Sequence, residues 1–382
     1  MTAWTFFRRT LGGEPSGLFS APGRVNLIGE HTDYNNGLVL PFAIDSRAEV
    51  AASRTAGSTV RVVSMQRRGE PIEYSVDDLR PGSAAAQGWA AYVFGVVWAM
   101  REAGHRMAGF DLALDSAVPS GAGLSSSAAV ECVTALAVST LSGIELPRSE
   151  LARIAQRAEN DYVGVPCGLM DQTASTSARA GHLLFFDVGL DRIEHIPFDP
   201  AAHGLVVLVI DTRVHHALGD GGYAERRASC EAAAAELGVA SLRDVQDRPV
   251  EAVLAALSDD LLRRRVRHVL TENTRVLRVV ELLRHGYVAE IGVELSASHA
   301  SMRDDYEISC AELDVAVESA MAAGALGARM TGGGFGGSAV ALVPVQQQTQ
   351  VADAVVDAFA ARGFEPPVVR PVAPSAGARR EG

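Results

Sequence analysis

Alternation of apolar and polar residues marks several strands in this chain, and longer apolar periodicities mark helices. Phe110 to Val118 (FDLALDSAV) alternates with the period of a half-buried strand, and the apolar, Ala-rich run Ala128 to Leu141 after it is long enough for a buried helix. Glu49 to Ser64 and Pro71 to Val76 alternate as antiparallel strands, and Val25 to Ile28 and Leu38 to Leu40 read as short strands. Gln87 to Ala103 has helical spacing, with Trp89, Tyr92, Phe94 and Trp98 read as core. Ser149 to Tyr162 predicts an amphipathic helix with Ser149 as N-cap and Leu151, Ile154, Ala155 and Ala158 as its apolar stripe. His182 to Asp187 predicts a strand, and the unbroken apolar run Leu205 to Asp211 predicts a buried one. A domain boundary is expected around Pro197 to Gly204, dividing the chain into 1–200 and 201–382. Beyond it, Gly221 to Glu231 begins a helix with Tyr223 at its start. Arg263 to His285, Val288 to Ser301 and Glu307 to Ala323 predict further helices, and Ala339 to Val343 a strand. The Pro- and Arg-rich tail reads as loosely ordered beyond Ser375.

The stretch between the first strand and helix, Pro119 to Ala129 (PSGAGLSSSAA), organises the rest. Gly121 and Gly123 let backbone approach a ligand, and Ser125, Ser126 and Ser127 stand where N-cap hydroxyls belong. A helix start so built suits an anion, phosphate above all; taken alone, it is also an ordinary helix cap. Phe19 to Asp45 is dense in polar turn residues, and Glu30, His31 and Asp33 lie within four positions. Carboxylates and imidazole suit a polyhydroxyl ligand, whose hydroxyls donate and accept; a solvated hairpin is the alternative. Arg24, inside a strand beside that turn, needs a partner, either a structural carboxylate or a ligand phosphate. Glu159 is a solvated flank or an inward-facing ligand group, and Asp171, in a small and apolar context, is a desolvated base or a helix cap. His215 and His216 are adjacent, point different ways and have no acidic neighbours, so they do not read as a metal site. Gly332 to Gly337 satisfies GxGxxG but leads into a strand rather than a helix, so a dinucleotide site is rejected in favour of a close approach between loops or to a ligand.

Composition narrows the chemistry. The net charge of −12 argues against a nucleic-acid surface. No apolar run is long enough to span a bilayer, and the first residues lack the apolar core of a signal peptide, so a cytoplasmic protein without a membrane partner is expected. Cys132, Cys167, Cys230 and Cys310 are widely spread and read as free thiols. The chain contains no lysine; all 34 of its Lys+Arg residues are arginine. That excludes a Walker P-loop, a protein-kinase site and Schiff-base chemistry. A phosphate site here must rest on backbone N–H groups, a helix dipole, arginine and a metal.

Three motifs together resemble the GHMP small-molecule kinases, and within them the galactokinase family: GRVNLIGEHTDYN at Gly23, PSGAGLSSSAA at Pro119 and MTGGGFGGS at Met330, the last with Ser338 where many members carry Cys. The resemblance continues through CGLMDQ at Cys167, RVRHVLTEN at Arg265 and SHASMRDDYEIS at Ser298. It implies a two-lobed α+β GHMP kinase fold, with a ribosomal-protein-like first lobe, a ferredoxin-like second lobe and the active site between them. It implies galactose contacts at Glu30, His31, Thr32, Asp33, Gly168 and Tyr223. Gly121, Ala122, Gly123, Leu124, Ser125, Ser126 and Ser127 would wrap the phosphates of ATP, with Ser64 touching the nucleotide. Ser127 and Glu159 would hold Mg2+, and Asp171 would be the catalytic base with Arg24 as its partner. A monomer is expected. A kinase for N-acetylgalactosamine or arabinose, or a non-catalytic sugar and ATP sensor, are the competing functions.

Overall fold

The alternating stretches become three sheets in the computed structural model, which describes residues 1–214 and 221–381. The first half runs through helix α1 (Ala3–Thr10), strands β1 (Gly17–Asn26), β2 (Leu38–Val39), β3 (Pro41–Arg54), β4 (Thr59–Ser64) and β5 (Arg67–Ser75), helix α2 (Ala91–Glu102), strand β6 (Phe110–Ser116) and helix α3 (Ser126–Leu141). Helices α4 (Arg148–Arg157) and α5 (Met170–Ser177) and the hairpin β7 (His182–Asp187) to β8 (Arg192–Pro197) complete it. The second half contains β9 (Leu205–Asp211), α6 (Gly222–Glu236), α7 (Val250–Ala255), α8 (Asp260–Arg284), α9 (Ile291–Asp304), α10 (Ala311–Ala322), β10 (Gly327–Thr331), β11 (Ser338–Pro344), α11 (Gln348–Arg362), β12 (Val368–Val372) and β13 (Arg379–Glu381). His215 and His216 lie outside the described residues.

A six-stranded sheet has the order β13-β1-β3-β6-β4-β5, antiparallel except between β4 and β6. A four-stranded antiparallel sheet, β10-β11-β9-β12, forms the core of the second half, and β2-β7-β8 makes a small third sheet. The unbroken apolar run of β9 sits between β11 and β12 with helices packed over it, as its composition predicts. β1 begins well before Val25 because almost all its residues are buried, so no alternation marks its start. Helix α3 packs on β1 and β3 and against α2, α4 and α5. It is therefore apolar on nearly every side, with Ala128, Ala129, Cys132, Val133, Ala135, Ala137 and Val138 buried. That central packing sets where its N-terminus, and hence the serine turn, stands.

The tail is not loose. β13 pairs with β1 through Leu18, Phe19 and Ser20, so the chain's last strand lies in the sheet of the first half. Arg47 donates to the carbonyls of Ala376 and Gly377 at 2.7 and 2.8 Å. Backbone pairing carries this docking, and it leaves no periodic mark in a Pro- and Arg-rich sequence. Among the described residues no helix is long and apolar enough to cross a membrane. Deleting residues 375–382 removes β13 and both carbonyl partners of Arg47. With each lost bond worth about 1 kcal/mol, the thermal midpoint read by calorimetry is expected to fall by about 5 °C.

Candidate active site

The turn into α3 is shaped by one strained residue. Ser125, at the N-cap position, has φ 58° and ψ 51°, left-handed values that cost a non-glycine residue about 1–2 kcal/mol. Its hydroxyl makes no capping bond, contrary to expectation. The left-handed backbone turns Ser125 Oγ towards Asp171, and it donates to Asp171 Oδ2 at 2.5 Å. Arg24 holds the other oxygen: its Nε donates to Asp171 Oδ1 at 2.8 Å, with Nη2 2.7 Å from the same atom. Arg24 Nη1 donates to the Gly123 carbonyl at 2.6 Å, tying the same guanidinium to the glycine loop. The partner that Arg24 required is thus a carboxylate. Asp171 sits in the first turn of α5 without capping it, Leu169 being the cap residue, and faces the cleft.

Counted together with the solvent at its open mouth, the cleft spans about 1220 Å³. Arg24, Glu30, His31, Asp33, Gly168, Asp171 and Tyr223 line it together with Gly121, Gly123 to Ser127, and Glu159. The polar turn and the serine turn therefore open onto one cavity. Glu30 is buried, its Oε1 accepting from the Gly332 N–H at 2.8 Å and the Thr331 hydroxyl at 3.1 Å, with Arg329 Nη2 at 3.3 Å. Asp33 accepts from the backbone N–H of Tyr34 at 2.9 Å and of Met170 at 3.4 Å. Burial, then the nearby Asp171 carboxylate, pushes the Asp33 carboxyl up to about 6. His31 lies between Tyr34 and the Gly333 carbonyl, and burial takes its ring down to about 3, so it is neutral. Gly168 is required because a Cβ there would stand 1.7 Å from Asp33 Oδ2.

Glu159 faces inward. Helix α4 gives way after Arg157 to a wider π-helical turn, Ala158–Val163, which buries Glu159 against the cleft. Gln172 Nε2 donates to Glu159 Oε2 at 2.7 Å and to Glu131 Oε2 at 3.2 Å, and the Ser127 hydroxyl is within bonding reach of the Glu159 carboxylate. Burial raises both glutamates well above the usual carboxylate range. Among the described residues no three His, Cys, Asp or Glu side chains gather as a full metal cage. One carboxylate beside one hydroxyl would instead suit a Mg2+ ion that takes its remaining oxygens from phosphate and water.

Three expected contacts lie outside the cavity wall. The Thr32 hydroxyl donates to the carbonyls of Gly29 and Leu38 at 3.0 and 2.7 Å, so it braces the turn. Ala122 is fully buried behind the loop, its carbonyl accepting from Ser338 Oγ at 2.6 Å. Ser338 thus tethers two loops. Ser64 ends β4 beside Gln66, within 3.3 Å of it, and not in the wall of the cleft. The third glycine stretch does bring loops together: a Cβ on Gly332 would lie 2.9 Å from the Gly123 carbonyl.

Helix α8 carries residues that periodicity alone did not single out. Its His268 Nε2 donates to the Glu30 carbonyl at 3.1 Å, Glu272 Oε1 accepts from the Gly29 N–H at 2.9 Å, and Asn273 Oδ1 accepts from the Leu38 N–H at 2.8 Å. Burial would raise the Glu272 carboxyl, but Arg275, His268 and Arg329 and the Ser298 hydroxyl bring it down to about 2, so it stays ionised. Its signal was present: buried polar residues interrupt the apolar stripe of Val266, Val269, Leu270 and Val276.

Comparison with known proteins shows that this fold and cleft are those of a small-molecule kinase of the GHMP type. The family profile "GHMP kinases N terminal domain" matches residues 91–179, "GHMP kinases C terminal" matches 279–363, and "Galactokinase galactose-binding signature" matches 5–54. The chain is 54% identical to a galactokinase of Streptomyces coelicolor over 98% of its own length and 96% of the relative's. It is 46% identical to one of Mycobacterium tuberculosis over 92% and 95%. The crystal structure of Lactococcus lactis galactokinase complexed with galactose superposes with a TM-score of 0.93 at 31% identity, covering 98% of each chain. A mevalonate kinase superposes at 0.67 with 16% identity, over 94% of this chain and 99% of that one, sharing the fold. The chain belongs to the galactokinase family.

Gly168→Ala is expected to displace the Asp33 carboxylate and weaken galactose binding about tenfold by calorimetry. Because the Asp33 carboxyl titrates near 6 in the free protein, it holds its proton below that pH and offers fewer acceptor sites to a sugar. Galactose affinity should therefore be highest above about pH 7 and fall as the pH drops through 6. A flat affinity across that range would exclude Asp33 as the titrating acceptor.

Proposed function

We propose that this chain transfers the γ-phosphoryl group of ATP to the 1-hydroxyl of α-D-galactose, giving galactose 1-phosphate and ADP. The observation that carries this reading is the Asp171 carboxylate, held at both oxygens by Arg24 and Ser125 and facing the cleft that the serine turn and the Glu30–Asp33 hairpin share. Phosphoryl transfer passes through a loose transition state, so the protein has mainly to position groups and neutralise charge. Arg24 occupies Asp171 Oδ1 twice, whereas Oδ2, bonded once by Ser125, has a second lone pair that accepts the proton of the attacking hydroxyl or orients it. Arg24 fixes that carboxylate and places a cation beside the migrating phosphoryl group. Glu30, His31, Asp33, Gly168 and Tyr223 form the galactose side of the cleft.

The first-turn N–H groups of α3 have no intrahelical carbonyl to bond, and they meet the ATP phosphates. Arg24 is the one Lys or Arg side chain in the described lining, and it is engaged by Asp171, while Glu30, Asp33, Glu159 and Asp171 are acidic. A triphosphate in this acidic cleft needs a divalent cation, and Ser127 and Glu159 are the residues that would hold Mg2+. When bound, Mg2+ would supply the positive charge that offsets the phosphates. The four cysteines are free thiols, which fits work in the reducing cytoplasm.

Release of ADP, coupled to a spectrophotometric readout, is expected with galactose and Mg2+ and absent without either. N-acetylgalactosamine and arabinose in the same assay rank the competing sugars. Asp171→Ala should lower kcat by at least about 10²-fold while galactose binding changes little. A kcat near wild type in that variant would remove Asp171 from the chemistry.

A further inference from the structure

We propose that Tyr34, Tyr306 and Cys230 are positioning residues for the sugar site: their one-way hydrogen-bond chain locks His31 as a donor at Nε2, so that His31 and the Gly333 carbonyl present a donor and an acceptor to one sugar hydroxyl. The inference rests on reading the cleft as the galactose site.

The proton order follows from the end of the chain. His31 Nε2 lies 3.0 Å from the Gly333 carbonyl oxygen. A carbonyl can only accept, so Nε2 carries the hydrogen. The buried ring is neutral and has a single N–H, so Nδ1 must accept. The Tyr34 hydroxyl, 2.7 Å from Nδ1, is therefore the donor. Having spent its proton, the Tyr34 oxygen accepts from the Tyr306 hydroxyl at 2.8 Å. The Tyr306 oxygen in turn accepts from the Cys230 thiol at 3.1 Å. Burial raises the Cys230 thiol above its ordinary value, so its proton stays in place. Every group has one role, and reversing any link would set two acceptors or two donors face to face.

The chain is also mechanically fixed. Arg226 Nε donates to the Tyr306 carbonyl at 2.7 Å, and the Tyr306 ring lies 4.4 Å from the His268 ring, centre to centre. Tyr223, on the sugar side, packs against His31 at 5.0 Å. His31 and Tyr34 belong to the first half of the chain, whereas Gly333, Tyr306 and Cys230 belong to the second, so the relay crosses between halves at the sugar pocket. A sugar hydroxyl seated against this edge shares the Nε2 proton and donates to the second lone pair of the Gly333 carbonyl. Such a paired site rejects an analogue lacking that hydroxyl, because its polar groups lose a partner.

The test combines kinetics with ¹⁵N NMR of histidine-labelled full-length protein. In the wild type, the His31 ring should show the Nε2–H tautomer with no titration between about pH 6 and pH 9. Tyr34→Phe should raise the KM for galactose about tenfold, with the KM for ATP and kcat close to wild type, and should mix the His31 tautomers. Tyr306→Phe should raise the galactose KM about threefold, whereas Cys230→Ser, which keeps a donor, should match the wild type. Across monodeoxygalactoses, discrimination against one analogue should shrink in Tyr34→Phe. An Nδ1–H tautomer in the wild type, or a Tyr34→Phe enzyme whose KM values for sugar and ATP are unchanged or rise together, would overturn the proposal. If Tyr34→Phe fails to fold, the wild-type tautomer and the Tyr306→Phe kinetics decide it. A wild type inactive on galactose would sink the sugar assignment instead, while the tautomer measurement would still report on the relay.

Discussion

The arrangement turns on a carboxylate held at both oxygens. Asp171 reaches the cleft from the first turn of α5, Arg24 from β1 and Ser125 from the start of α3. Their distances are set by the packing of α3 and α5 on the six-stranded sheet, not by flexible loops. Close-packed cores deform little, so a reactive group mounted this way is held to a fraction of an ångström. The strain of a left-handed Ser125 is repaid by a charge-assisted hydrogen bond to the same carboxylate.

The Glu30–Asp33 hairpin has the opposite logic. It lies in the first half, but its geometry is imposed by the second half. Helix α8 binds the backbone at Gly29, Glu30 and Leu38, and the Arg329 to Gly332 segment engages the Glu30 carboxylate. Several of these partners are buried charges. Each would be costly alone and is tolerable because it is matched: Glu272 with Arg275, Glu30 with Arg329. Charges paired in this way admit few alternative arrangements, which keeps the hairpin rigid.

An anion site without lysine is consistent with this frame. Backbone amides and a helix dipole would give direction, and a cation shared with the ligand would supply charge, so no long basic side chain has to be ordered. The tether from Ser338 to the Ala122 carbonyl, together with the glycine contact between Gly332 and Gly123, presses the two glycine-rich loops against each other.

Local sequence determined a good deal: the strand, serine turn and helix at the centre, the buried strand at Leu205–Asp211, the rejection of a dinucleotide fold at Gly332, and the need of Arg24 for a partner. Each follows from periodicity, glycine placement or the cost of a buried charge, all readable from neighbouring residues. The motifs extended this to most of the lining residues. Only the tertiary structure decided that Ser125 serves Asp171 instead of capping its helix, that Thr32, Ala122 and Ser64 stand outside the cavity wall, that α8 holds the sugar hairpin, and that the last strand returns to the first sheet. Those outcomes depend on hydrogen bonds between groups far apart in the chain, and such bonds leave no period in the sequence because either partner could have been satisfied locally or by water.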